Sequence, residues 1–103
     1  MPAERERLDV QLLFTDAEAE KMADGHIPKD MDDKWFIYFE NGWLHFHRSW
    51  TGHCIYTLRL DGSPAGVRVA EAWVNWNKGE YNSPGMDTDI RMVEQLIRTR
   101  LLS

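Results

Sequence analysis

A single cysteine, Cys54, is all that the 103 residues contain, so no disulfide can form within the chain. Such usage points to a reducing compartment, with the cytoplasm as the default. No apolar run approaches the roughly 20 residues that a membrane-spanning helix needs, and the start, Met1-Pro2-Ala3-Glu4-Arg5-Glu6-Arg7, does not read as a signal peptide. Positive charge is in deficit. Twelve Lys and Arg against 17 Asp and Glu give a formal net charge of −5, which argues against broad, sequence-independent binding of phosphate backbones. There is no internal repeat and no low-complexity tract. These absences leave one soluble domain with a modest core and no membrane partner.

Aromatic residues, by contrast, are abundant and concentrated. Lys34 to Leu60 holds three of the five Trp, three of the four His, three of the four Phe and the only Cys. Asn41-Gly42 lies between two runs of β-formers and tolerates the positive φ that a two-residue hairpin loop requires. That loop pairs Glu40 with Trp43, Tyr38 with His45 and Phe36 with His47, and puts Trp35, Ile37, Phe39, Leu44 and Phe46 together on an apolar inner face. The turn Ser49-Trp50-Thr51-Gly52 leads into a third strand, His53 to Leu60. Placing Cys54, Tyr56, Leu58 and Leu60 on the inner face predicts pairs Phe46 with Cys54 and Leu44 with Tyr56, and sets His47 opposite His53. The outer face then carries Phe36, Tyr38, Glu40, Trp43, His45, His47, His53, Ile55, Thr57 and Arg59.

Around this centre the pattern is simpler. Leu8–Phe14 is compatible with a short strand, with Leu8, Val10 and Leu12 on one face, or with a helical turn, and the strand is preferred. Thr15-Asp16-Ala17-Glu18 fits a capping box that starts a helix running to about Asp24 and ended by Gly25. Ile27–Asp33 is a polar connector, because Pro28 disfavours helix at Ile27. Asp61–Gly66 is dense in turn formers, and Val67–Trp76 is a further strand, with Glu71 and Trp73 assigned to the histidine face. After a polar loop over 77–86, Asp87 or Thr88 can cap a last helix in which Ile90, Val93, Ile97 and Leu101 recur at helical spacing. The expected fold class is α+β: an antiparallel β-meander of four strands, five if the N-terminal segment joins, covered on one face by the C-terminal amphipathic helix, with a short N-terminal helix.

Three kinds of chemistry suit the outer face. His45 and His47, at i and i+2 on a strand, can supply two metal ligands with Glu40 or Glu71 as a third. That spacing is common on any amphipathic strand, so no metal is assigned from it and the cofactor stays open. Cys54 could serve as a nucleophile beside a histidine, but the expected register buries it on the opposite face. Arg48 can meet a carboxylate or phosphate bidentately and Trp50 can stack on a ring, or the two can form a cation–π clamp that stiffens the turn.

The segments Trp35-Phe36-Ile37-Tyr38-Phe39-Glu40 and Trp43 to Gly52 resemble a family of small bacterial proteins with a WFIYxExxWLxFHRSWTG-like core. The resemblance covers about a quarter of the chain and implies no established activity. A loose association with proteins acting on ADP-ribose or related nucleotides comes with it and adds to a nucleotide reading.

The leading reading is a small cytoplasmic binding or accessory domain, a homodimer, whose outer face contacts a nucleotide-like or other small polar ligand. Trp43 and Trp50 stack, Arg48 meets an anion, and Glu40, His45 and His47 hydrogen-bond. A hydrolase using His47 as a base near Glu40 or in a metal site is the rival. A protein–protein adaptor that uses the aromatic face without a small ligand is the third reading.

Overall fold

Asn41 and Gly42 both take positive φ, 53° and 85°, the backbone that a two-residue hairpin loop requires. The loop fixes the register of β3 (Trp35–Glu40) on β4 (Trp43–Arg48): Glu40 faces Trp43, Tyr38 faces His45 and Phe36 faces His47, as the pattern predicts. Trp35, Ile37, Leu44 and Phe46 are buried on the inner face. Phe39 is the exception. It sits at the turn end of the outermost strand and keeps 37% of its surface exposed.

The computed structural model describes residues 2–29 and 32–102. β5 (Cys54–Ser63) and β6 (Gly66–Asn75) complete the meander, and two short strands, β1 (Arg5–Arg7) and β2 (Leu13–Phe14), both pair with β6. The result is a six-stranded antiparallel sheet in the order β1-β6-β5-β4-β3, with β2 also on β6. The strand expected over Leu8–Phe14 is therefore broken. The chain leaves the sheet between β1 and β2, held there by bonds from Leu8 N to Ala72 O (2.8 Å) and from Val69 N to Leu12 O (3.2 Å). Leu8 and Val10 reach the core from this excursion. β5 also runs further than expected, so the turn before β6 is Pro64-Ala65 alone. Its exit needs glycine: Gly66 has φ 136°, and a Cβ there would stand 2.4 Å from the Phe14 carbonyl oxygen.

The first helix, α1 (Asp16–Ala23), opens with the capping box. Thr15 Oγ1 accepts from Glu18 N at 3.1 Å, and Thr15 N donates to Glu18 Oε1 at 2.9 Å. Gly25 follows it, and His26 bridges to Ile37 of β3. The connector expected over Ile27–Asp33 includes residues 30 and 31, which lie outside the described residues. At its end Asp33 holds His26 (Nε2 to Oδ2, 2.5 Å) and Arg100 (Nε to Oδ1, 3.4 Å). Burial alone would raise the Asp33 carboxyl, but the His26 hydrogen bond and the nearby cationic charge override it and keep the group below its ordinary range.

The last helix, α2 (Met86–Leu96), continues into a π-helical turn, Ile97–Leu101, and its buried stripe of Val93, Leu96, Ile97 and Leu101 packs on the sheet's inner face. Its cap is Gly85, not Asp87 or Thr88, and no side chain caps it. The first turn is fastened from within instead. Asp89, fully buried, accepts from Tyr56 Oη (2.8 Å) and Tyr81 Oη (2.5 Å) on Oδ1 and from Ser83 Oγ on Oδ2. A carboxylate out of water persists only when its lone pairs are met by donors, and three hydroxyls from β5 and the 77–85 loop meet them. Among the described residues, no helix is long and apolar enough to cross a membrane.

Removing this carboxylate would take away the acceptor that the Tyr56 and Tyr81 hydroxyls share and leave them only each other, at 3.0 Å. Asp89→Ala should lower the unfolding free energy by roughly 2–3 kcal/mol, and Tyr56→Phe by about 1–2. Urea denaturation with an unchanged m-value would register both losses.

Candidate functional site

The turn after β4 sets the geometry of the site. Gly52 N donates to Arg48 O at 2.8 Å with Gly52 at φ 76°, and Arg48 N donates to His53 O at 3.0 Å, which closes a four-residue loop. His47 then lies opposite Cys54, not opposite His53 as expected. One step further the ladder shifts. Phe46 pairs with Tyr56 and Leu44 with Leu58, leaving Ile55 as an extra residue in β5. The expected pairs, Phe46 with Cys54 and Leu44 with Tyr56, are displaced by two residues. Tyr56 and Leu58 keep the inner face, but Cys54, beyond the bulge, moves to the histidine side.

That shift assembles a cluster. One ligand atom each from His45, His47 and Cys54 lies within 4.8 Å of the others. Tyr38 stacks on His45 at 4.7 Å between ring centroids and on His47 at 5.4 Å, and Phe36 follows at 5.8 Å from Tyr38. His47 Nδ1 and the Gly52 carbonyl are 2.9 Å apart, which makes Nδ1 the donor nitrogen. Nε2 of the same ring is buried and has no hydrogen-bond partner among the described residues. Burial first, and the His47 imidazole second, lower the His45 pKa. Burial pushes the Cys54 thiol up, so the thiolate that nucleophilic attack needs is disfavoured.

The six residues expected to form one site divide between two ends of the sheet. Glu40 and Trp43 face each other beside the Asn41-Gly42 turn, and Trp43 also meets Arg59 of β5. Arg48 and Trp50 lie at the other end, about 17 Å along the strand at its usual rise, with His45 and His47 between. Arg48 rests over the Trp35 ring, 4.7 Å from its centroid, so the cation–π contact is with Trp35 and not with Trp50. Trp50 is 68% exposed. Arg48 borders two grooves: one of about 500 Å³ lined by Lys34, Trp50, Thr51, Glu80, Tyr81 and Asn82, and one of about 370 Å³ lined by Pro28, Phe36, Tyr38, His47, Ser49 and Gly52. A larger hollow of about 880 Å³ lies between residues 7–13 and 68–72. It contains none of the aromatic, histidine or cysteine side chains.

Away from the cluster, arginines of the edge strand β1 reach over the outer face. Arg5 and Arg7 lie 4.2 Å and 6.0 Å from the Trp73 ring centroid. Glu71 faces Arg59 and pairs with it at 3.3 Å, so Glu71 and Trp73 share the outer face as expected. Neither Glu40 nor Glu71 belongs to the histidine cluster. The hydrolase reading wanted a carboxylate against His47. Among the described residues that partner is a backbone carbonyl, and the closest His–carboxylate pair is His26 with Asp33.

Sequence reasoning missed the role of Cys54, Tyr81 and Glu80. Tyr81 and Glu80 come from the 77–85 loop, where Glu80 meets both Asn75 Nδ2 (3.0 Å) and His53 Nδ1 (3.5 Å). Fold and cluster together define a small α+β domain with an imidazole–thiol group set in an aromatic sheet face. Comparison with known protein families, with curated proteins and with solved structures found no match.

Because Cys54 is 5% exposed and its thiolate disfavoured, it should react with Ellman's reagent on the order of a hundredfold more slowly in the native protein than in urea. Native labelling as fast as denatured labelling would remove Cys54 from the interior.

Proposed function

We propose that the protein is a small cytoplasmic binding domain that takes a planar, anionic ligand of the nucleotide kind in the groove between the β4–β5 turn and the 77–85 loop. The observation that carries this is Arg48. Its guanidinium makes no hydrogen bond or ion pair within the described residues, is held over Trp35, and lines a groove that also offers Lys34, Trp50 and Tyr81. Two cations can meet a phosphate, and an exposed indole supplies a stacking surface at a site where only one base needs to be read. A single nucleotide also suits a chain of net charge −5 better than a polynucleotide does. Trp43 and Glu40 lie too far along the hairpin to share this groove, so the reading drops them from the ligand and keeps Arg48 and Trp50, with His47 on the neighbouring groove.

The homodimer reading draws support from another place. β3 is the outermost strand, its edge occupied by His26 only at Ile37, and Phe39 and Ile27 are exposed at 37% and 73%. A second copy meeting that edge would leave the Arg48 groove open.

Native mass spectrometry of the tag-free protein with ADP tests the proposal and reports subunit number with it. One ADP per chain is expected, with adenosine binding much more weakly. Arg48→Gln should weaken ADP by at least about tenfold, the scale of a charge-assisted hydrogen bond, and Trp50→Ala by a smaller factor. ADP affinity unchanged by Arg48→Gln in a folded variant would refute the site.

A further inference from the structure

We propose that His45, His47 and Cys54 form a binding site for one divalent transition-metal ion of the zinc class. This site is separate from the nucleotide groove and does not depend on it. The Nδ1 of His47 donates to the Gly52 carbonyl at 2.9 Å, an outer hydrogen bond of the kind that orients metal-binding imidazoles and that leaves the lone pair of the neutral ring on Nε2. That Nε2 is buried with no hydrogen-bond partner among the described residues. Buried ring nitrogens normally find one. The same imidazole belongs to a cluster in which one donor atom each from His45, His47 and Cys54 lies within 4.8 Å of the others.

The donor set selects the ion. Imidazole nitrogen and sulfur suit zinc and its borderline-soft neighbours, whereas magnesium and calcium require oxygen ligands. Zinc–nitrogen bonds of about 2.0–2.1 Å and zinc–sulfur bonds of about 2.3 Å place the nitrogen and sulfur atoms of a tetrahedral site roughly 3.3–3.6 Å apart. Donors as much as 4.8 Å apart close by about 1.2–1.5 Å to meet that. As the metal–sulfur bond forms, the thiol proton leaves to solvent. Three protein donors leave a fourth position for water or an incoming ligand. Two distinct elements supply the set: His45 and His47 share one face of β4, and Cys54 joins them through the extra residue in β5.

The test is titration of the tag-free, full-length chain with Co²⁺. One equivalent should bring visible d–d absorption together with a thiolate-to-cobalt charge-transfer band in the near ultraviolet, and one equivalent of Zn²⁺ should erase both. Cys54→Ser should lose the charge-transfer band, and His47→Gln should weaken cobalt binding by at least about tenfold, both with the circular dichroism of the parent. If Cys54→Ser does not fold, His45→Gln, whose ring is partly exposed, should show the same loss of affinity. A spectrum without the charge-transfer band, or an affinity unaltered by the histidine variants, would overturn the site.

Discussion

Opposite His47, β5 supplies two residues where a regular ladder would supply one, and the inner face of the sheet depends on that surplus. The loop closed between Arg48 and His53 sets His47 against Cys54. Continued without a bulge, the same register would put Tyr56 opposite His45 and Leu58 opposite Trp43, turning both toward the outside. Each is now fully buried, and burying a side chain of that size is worth roughly 1.5–3 kcal/mol. The bulge restores the parity that the core needs. Its by-product is a cysteine carried to the side where the histidines already stand.

The outer face is consequently two surfaces. On the β1 and β6 side, two arginines of the N-terminal strand lie over Trp73, and the Arg59–Glu71 pair lies next to them. On the β3 and β4 side, Phe36, Tyr38, His45 and His47 form a run of ring contacts that ends at the Arg48 turn. The 77–85 loop joins that end. Its Tyr81 is hydrogen-bonded to the buried Asp89 and also lines the groove beside Arg48, so the anchor of α2 and the groove wall share a residue.

Much of this was legible in the sequence, and the failures have physical causes. Asn41-Gly42 fixed one hairpin register because that dipeptide readily takes two adjacent positive φ values, and Thr15 with Glu18 marked a helix start through a local, reciprocal pair of bonds. The histidine face followed from alternation alone. Alternation cannot reveal a bulge, because an extra residue leaves the inner positions apolar on both sides of it; Cys54 is buried as expected, but beside the histidines and not on the inner face. Arg5–Arg7 carries no β-forming side chains; it is a strand because β6 offers a free edge and Trp73 a surface for guanidinium groups. Asp89 looked like an ordinary acidic residue in a first helical turn. Its three donors come from positions 56, 81 and 83, a long-range arrangement that no local pattern announces.

The register of β4 on β5 is the claim on which both the core and the cluster rest, and nuclear Overhauser contacts in isotopically labelled protein read it directly. The account predicts contacts between the Phe46 and Tyr56 rings, whose centroids are 6.1 Å apart, together with contacts from the Cys54 β-protons to the His47 ring. Contacts pairing Phe46 with Cys54 and Leu44 with Tyr56, with Cys54 seen only by core side chains, would contradict it.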